Sequence, residues 1–176
     1  MRLKIDIEKS IEKGSLYPKS KLTYYFDYFM YGFFALAFLV IILGVLNDSN
    51  FHMSLGMTIG ILVYLIIIPL TFYSLNKMNK LTVLNIKDKS KTIQFIQTLA
   101  TESEWKIFKE DDQILVIQTN PWYLHERQVT FIFSYGKVFI NVMSFGRDIM
   151  SPIYYSSDKE ILKSIIDKLS ENKITH

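Results

Sequence analysis

The side chains able to do acid–base, nucleophilic or metal chemistry are few in this sequence and poorly spaced for it. There is no cysteine, which removes disulfides, thiolate metal sites and a Cys nucleophile from consideration. The histidines are His52, His125 and His176, far apart along the chain. His52 sits between Phe51 and Met53 with no other metal-ligating residue beside it except Asp48, so it reads as a solvated loop histidine rather than a metal or pH-sensing site. His125 adjoins Glu126, but neighbours on a strand point to opposite faces and cannot act as a base and its orienting partner. The acidic run Glu110–Asp112 lacks the spacing of a calcium loop and reads as a charged turn. No Gly-rich phosphate loop, GxSxG, HExxH or CxxC occurs. The expectation is a non-enzymatic protein with no cofactor and no metal.

The sparse chemistry is carried by a chain organised around two uninterrupted apolar runs. Tyr28–Leu46 and Leu55–Tyr73 contain no charged residue. Each is about 19 residues long and, at about 1.5 Å per residue, spans about 28 Å, close to the hydrocarbon thickness of a bilayer. They predict a transmembrane helical hairpin over 24–75, with helices at about 26–46 and 55–73. The first run is too long and begins too late for a cleaved signal peptide, and no small-x-small pattern follows it.

Charge orients the hairpin. Arg2, Lys4, Lys9, Lys13, Lys19 and Lys21 precede the first run, and Lys77, Lys80, Lys87, Lys89 and Lys91 follow the second, while the connecting Asn47–Ser54 has no basic residue. The positive-inside rule then places both termini in the cytoplasm. Tyr24, Tyr25, Tyr28, Tyr31, Phe72 and Tyr73 sit where an interfacial aromatic belt belongs. Asp27, among them, is expected to satisfy helix-start amides or pair with a lysine at the wet interface rather than to relay protons. Gly56 and Gly60 make a GxxxG step at the outer end of the second helix, with Gly44 at similar depth on the first. Such glycines permit close helix packing, within the hairpin or between two chains. Pro69 removes a backbone donor and is expected to bend the second helix.

The residues before the hairpin, 1–23, form a polar, lysine-rich stretch. Leu3, Ile7 and Ile11 recur every four residues, while Leu3, Ile5 and Ile7 alternate, so the period is ambiguous. The readings are an interfacial or disordered tail, or an amphipathic helix lying on anionic headgroups.

Residues 76–176 read as a small cytoplasmic α+β domain. A strand at Leu81–Ile86 precedes a helix capped at Asp88 or Ser90 and carrying Ile93, Ile96, Leu99 and Ala100. Strands follow at Trp105–Lys109, Gln113–Thr119, Gln128–Ser134 and Val138–Ser144, the last two joined at Tyr135-Gly136-Lys137. A capping box, Ser157 to Glu160, opens a final helix with Ile161, Leu162, Ile165, Ile166 and Leu169 as its stripe. The order β-α-β-β-β-β-α predicts a two-layer domain with an antiparallel sheet. Between the middle strands, Asn120–Arg127 holds Trp122, Tyr123 and His125, which either cap the sheet end or form a contact surface for a partner or the membrane. Arg147–Tyr155 is a second irregular stretch, which shares that end of the sheet if the strands pair as neighbours.

A Trp opening a strand after a helix (Trp105), a strand pair linked through Pro121 and Trp122, and a polar segment before the last helix occur together from Leu81 onward. In these features the chain resembles a group of uncharacterised short membrane proteins from Bacteroidota-type bacteria, built as a two-helix hairpin followed by a small cytoplasmic α+β domain. The resemblance implies a layout and no activity. Abundant Ile and Lys with sparse Gly and Pro also suit a bacterial genome poor in G and C.

The functional expectation is a module anchored in the bilayer of a bacterial inner membrane. It either binds a membrane-protein partner, as an accessory subunit of a larger complex, or self-associates, or it responds to a lipid or small ligand. The net charge of +3, with basic and acidic residues interspersed, does not suit a nucleic-acid partner.

Overall fold

The computed structural model describes residues 5–17, 21–46, 55–119, 125–146, 149–150 and 154–172. Three helices come first: α1 (Ile7–Lys13), α2 (Lys21–Leu46) and α3 (Leu55–Met78). The α+β part follows as β1 (Thr82–Asn85), α4 (Lys89–Glu102), β2 (Lys106–Glu110), β3 (Ile114–Thr119), β4 (His125–Ser134), β5 (Lys137–Gly146), β6 (Ile149–Met150) and α5 (Tyr155–Glu171). The order read from the sequence is present, with the two-residue β6 added inside the stretch expected to be irregular.

The sheet is antiparallel throughout, in the order β1-β5-β4-β3-β2, and β6 pairs the far end of β5. Ser134 pairs with Lys137, so the β4–β5 hairpin turns on only two residues, Tyr135 at φ +49° and Gly136 at φ +70°. Two positive φ values in succession are the signature of a type I′ turn, whose twist matches that of the strands.

One face of the sheet is covered by α4 and α5. Leu115, Ile117, Val129, Phe131, Phe133, Val138, Ile140 and Val142 meet Ile96, Ala100, Ile165 and Leu169 in one buried cluster. The helical stripes predicted for α4 and α5 supply these contacts. Asp88 caps α4, its side chain accepting from the amides of Ser90 and Lys91.

The other face corrects the two-layer expectation. Ile114, Val116, Ile132, Phe139, Met143 and Phe145 are buried against Ile5, Leu16, Leu75 and Met78, with Ile7, Ile11, Tyr28 and Tyr31 packed around them. The sheet therefore lies between helical layers on both sides. The stretch expected as a polar tail supplies part of the second layer: α1 starts at an Asp6 cap and ends at Gly14 in the left-handed conformation, φ +59°. Gly14 is required there, because the turn brings Leu16 back to the sheet at 3% exposure.

The helices α2 and α3 are longer than their apolar runs. α2 starts at Lys21, and α3 continues through Pro69 and past Tyr73, the end of its apolar run, to Met78. The capping box at Ser157 is absent. The N-cap of α5 is Tyr154, which makes no side-chain cap, and Ser157 already lies in the first turn with its hydroxyl bonded to Arg127.

Candidate functional site

One concentration of specific polar contacts lies where α3 meets the sheet. A helix ends with carbonyls that lack intrahelical partners. Here a side chain from the middle of β5 satisfies them: Asn141 Nδ2 donates to the carbonyls of Met78 at 2.6 Å and Lys80 at 3.0 Å. The N-terminal segment grips the same turn from the other side. The Leu16 amide donates to the Asn79 carbonyl at 2.7 Å, the Leu81 amide to the Gly14 carbonyl at 3.0 Å, and Ser15 bridges Lys80. Leu75 is fully buried and Met78 is 2% exposed, so the last turn of α3 is core of the α+β part rather than a linker to it.

The joint is not fully satisfied. Asn79 Nδ2 and Asn141 Oδ1 are buried with no hydrogen-bond partner among the described residues. A buried polar atom left in this way costs about 1–3 kcal/mol. Beside them runs a polar lane on the same sheet face, where Thr130 lies opposite Asn141 and its hydroxyl accepts from Gln128 Nε2 at 3.1 Å.

A second cluster stands at one end of the other face. Asp158, 2% exposed in the first turn of α5, accepts from the Ser144 hydroxyl at 2.6 Å and the Ser144 amide at 3.0 Å. Arg127 Nε lies 3.2 Å from the same carboxylate, and its Nη2 donates to Ser157 Oγ. Burial pushes the Asp158 carboxyl above its ordinary value, against the opposing pull of the Ser144 hydroxyl and amide and of Arg127. A serine and a carboxylate without a base between them do not make a nucleophile. The arrangement instead pins the start of α5 to β4 and β5.

His125 is the first residue of β4, paired through its backbone with Gly146, and not part of a connecting loop. Trp122 and Tyr123 lie outside the described residues, as does His52. Thr119 pairs with Arg127 and His125 with Gly146, so the strand ends bordering 120–124 and 147–148 share one end of the sheet. Among the described residues, a Cβ at Gly44 or Gly60 would meet no atom within 4 Å, so neither glycine makes a close helix contact there. Gly56 lies in α3, and its surroundings are outside the described residues. The helices meet instead where the Tyr64 hydroxyl donates to the Ala35 carbonyl and the rings of Phe38 and Tyr64 are 4.2 Å apart.

Sequence reading missed Asn141, Asp158 and Arg127. Asn141 does leave a trace, as a lone amide in the apolar run Val138–Met143. Among the described residues, no group of three or more His, Asp or Glu is placed to hold a metal ion. No protein-family model, curated protein or solved structure matches the chain.

Within α3, Thr58–Met78 is long and apolar enough to cross a membrane, while the apolar stretch Tyr28–Gly44 of α2 is shorter. The outward side chains of both helices are strongly exposed, among them Phe33, Leu36, Ile66 and Leu70.

Proposed function

We propose that the chain is a two-span, membrane-anchored interaction module without enzymatic activity. Both termini lie on the cytoplasmic side of a bacterial inner membrane, and the α+β part is held against that face to engage a membrane-protein partner. The observation that carries this reading is the continuity of α3. The 21-residue stretch Thr58–Met78 is apolar and largely exposed until its last turn, which is buried in the sheet's core with no linker between. Exposed apolar surface of that extent needs lipid or protein around it. Lys77 and Lys80 at its end agree with cytoplasmic placement under the positive-inside rule.

A second reading, a lipid- or ligand-responsive sensor, draws on the unpartnered Asn79 and Asn141 groups. They leave the geometry of the α3–β5 joint finely balanced, so tilt of α3 in the bilayer would reach β5 directly.

The test is purification of the tagged protein from its native membrane in mild detergent, with the mass and composition of the intact particle determined. A reproducible larger partner supports the interaction module. A bare monomer or homo-oligomer moves the weight to the sensor, and release of the chain by alkaline extraction would rule out both anchored readings.

A further inference from the structure

The end of the sheet away from residues 120–124 carries a cleft of about 520 Å³ between the first turn of α4, the β4–β5 turn and the start of β3. Lys87, Lys89 and Lys137 line it, with Gln113, Ser134 and Tyr135, and no carboxylate-bearing residue is among its walls. Of the acidic residues nearest in sequence, Asp112 is exposed, while Asp88 and Asp111 have side chains engaged elsewhere. Asp88 accepts from the Ser90 and Lys91 amides, and Asp111 pairs with Lys109 at 2.5 Å and accepts from the Gln113 and Ile114 amides. Lys89 Nζ donates to the carbonyl oxygen of Asp112, a contact that leaves the ammonium charge uncompensated. Among the described residues, no ion pair involves Lys87, Lys89 or Lys137.

Tyr135 is the second observation. It is 94% exposed and holds φ +49°, the first central position of a type I′ turn. That position favours Asn, Asp or Gly, and a bulky side chain there is an outlier. Neither packing nor backbone preference accounts for an aromatic residue at the tip, yet Tyr135 borders the lysine-lined cleft.

We propose that this cleft binds a small phosphate-bearing anion, held by the three lysines and flanked by the Tyr135 ring. Lysine ammonium groups supply the charge-assisted donors that phosphate oxygens need, and the volume suits a small ligand. The α4 wall belongs to the sheet face opposite the one that meets α2 and α3, which favours a soluble phosphate over a headgroup of the anchoring bilayer. The inference does not rest on the membrane reading.

The experiment is calorimetric titration of the full chain, in uncharged detergent, with inorganic pyrophosphate. Saturable binding is expected, weakened at least about tenfold in the Lys87→Ala/Lys137→Ala double variant and unchanged in Lys77→Ala/Lys163→Ala, a control for general charge. A Tyr135→Trp variant reports the source of the phosphate, because its emission should respond to pyrophosphate equally in nanodiscs of phosphatidylcholine and of phosphatidylglycerol. A blue shift in phosphatidylglycerol alone, with pyrophosphate excluded, would overturn the soluble ligand in favour of a headgroup. Absence of saturable binding, or equal binding by both double variants, would overturn the site itself.

Discussion

The two faces of the sheet are buried by different means. The α4–α5 face is covered by two amphipathic helices that stand close in sequence to the strands beneath them, with an apolar cluster at its centre and the Asp158–Arg127–Ser144 contacts at one end. The opposite face is covered by pieces drawn from three places in the chain: residues 5–16, Tyr28 and Tyr31 of α2, and the last turn of α3. It also carries the polar lane of Gln128, Thr130 and Asn141. The first face is core closed by neighbouring elements, while the second joins the α+β part to the apolar helices. There, polar groups fix where a helix ends, a task that apolar packing alone does not specify.

The largest effect that would break this comparison is removal of residues 1–17. A dispensable tail would leave the sheet intact. Instead, loss of Ile5 and Leu16 should expose Ile114, Val116, Ile132 and Phe139. At about 2–5 kcal/mol for each large buried aliphatic lost, that should unfold or aggregate the α+β part. Size-exclusion and circular dichroism of the truncated chain in detergent would check it, and a monodisperse folded product would restore the tail reading.

Next is Asp158→Ala, confined to the α4–α5 face. It strands Arg127 and the Ser144 amide, at a cost of about 3 kcal/mol, the low end for a broken buried pair because Arg127 remains partly exposed. Its pH dependence has a definite sign. The folded carboxyl titrates above its unfolded value, so its contribution is fully present below the unfolded pKa and is lost as pH rises through the folded one. Denaturation midpoints of wild type relative to Asp158→Asn should therefore fall across mildly acidic pH, and a rising difference would contradict the burial argument.

Asn141→Leu acts on the other face. It removes two hydrogen bonds to the α3 terminus and also one unpartnered oxygen, for a net loss of about 1–2 kcal/mol. Amide exchange should quicken at Leu81 and Leu16 while α5 stays protected. Equal deprotection on both faces would deny the separate roles.

The smallest effect belongs to neither face. Tyr135→Asn should stabilise the hairpin by up to about 1 kcal/mol through relief of the positive φ. A thermal midpoint lowered by this change would mean that Tyr135 has a packing role after all.

Much of the α4–α5 face was legible because the periodicity of a single element reports its own buried side. Ile96, Ala100, Ile165 and Leu169 follow from helical spacing, and Asp88 from its cap position. The second face was not legible, because no local pattern states which distant segment will cover a sheet. Leu16 follows Gly14-Ser15 in a polar stretch, and Leu75 stands between Ser74 and Asn76, beyond the apolar run. Ser157 illustrates the same limit: its spacing to Glu160 satisfies a capping motif, yet Arg127, 30 residues away in sequence, takes the hydroxyl.

The sequence by itself determined the two apolar helices, the α+β order, the turn at Tyr135-Gly136 and the distribution of charge, since each depends on residues within a few positions of one another. Tertiary structure alone decided that the N-terminal segment is part of the core, that Asn141 ends α3, and that Asp158 is held by Arg127 and Ser144. These depend on contacts between residues distant in sequence, 14 positions apart for Ser144 and Asp158 and 63 for Asn141 and Met78, whose free energy appears only once the chain has closed the loops between them.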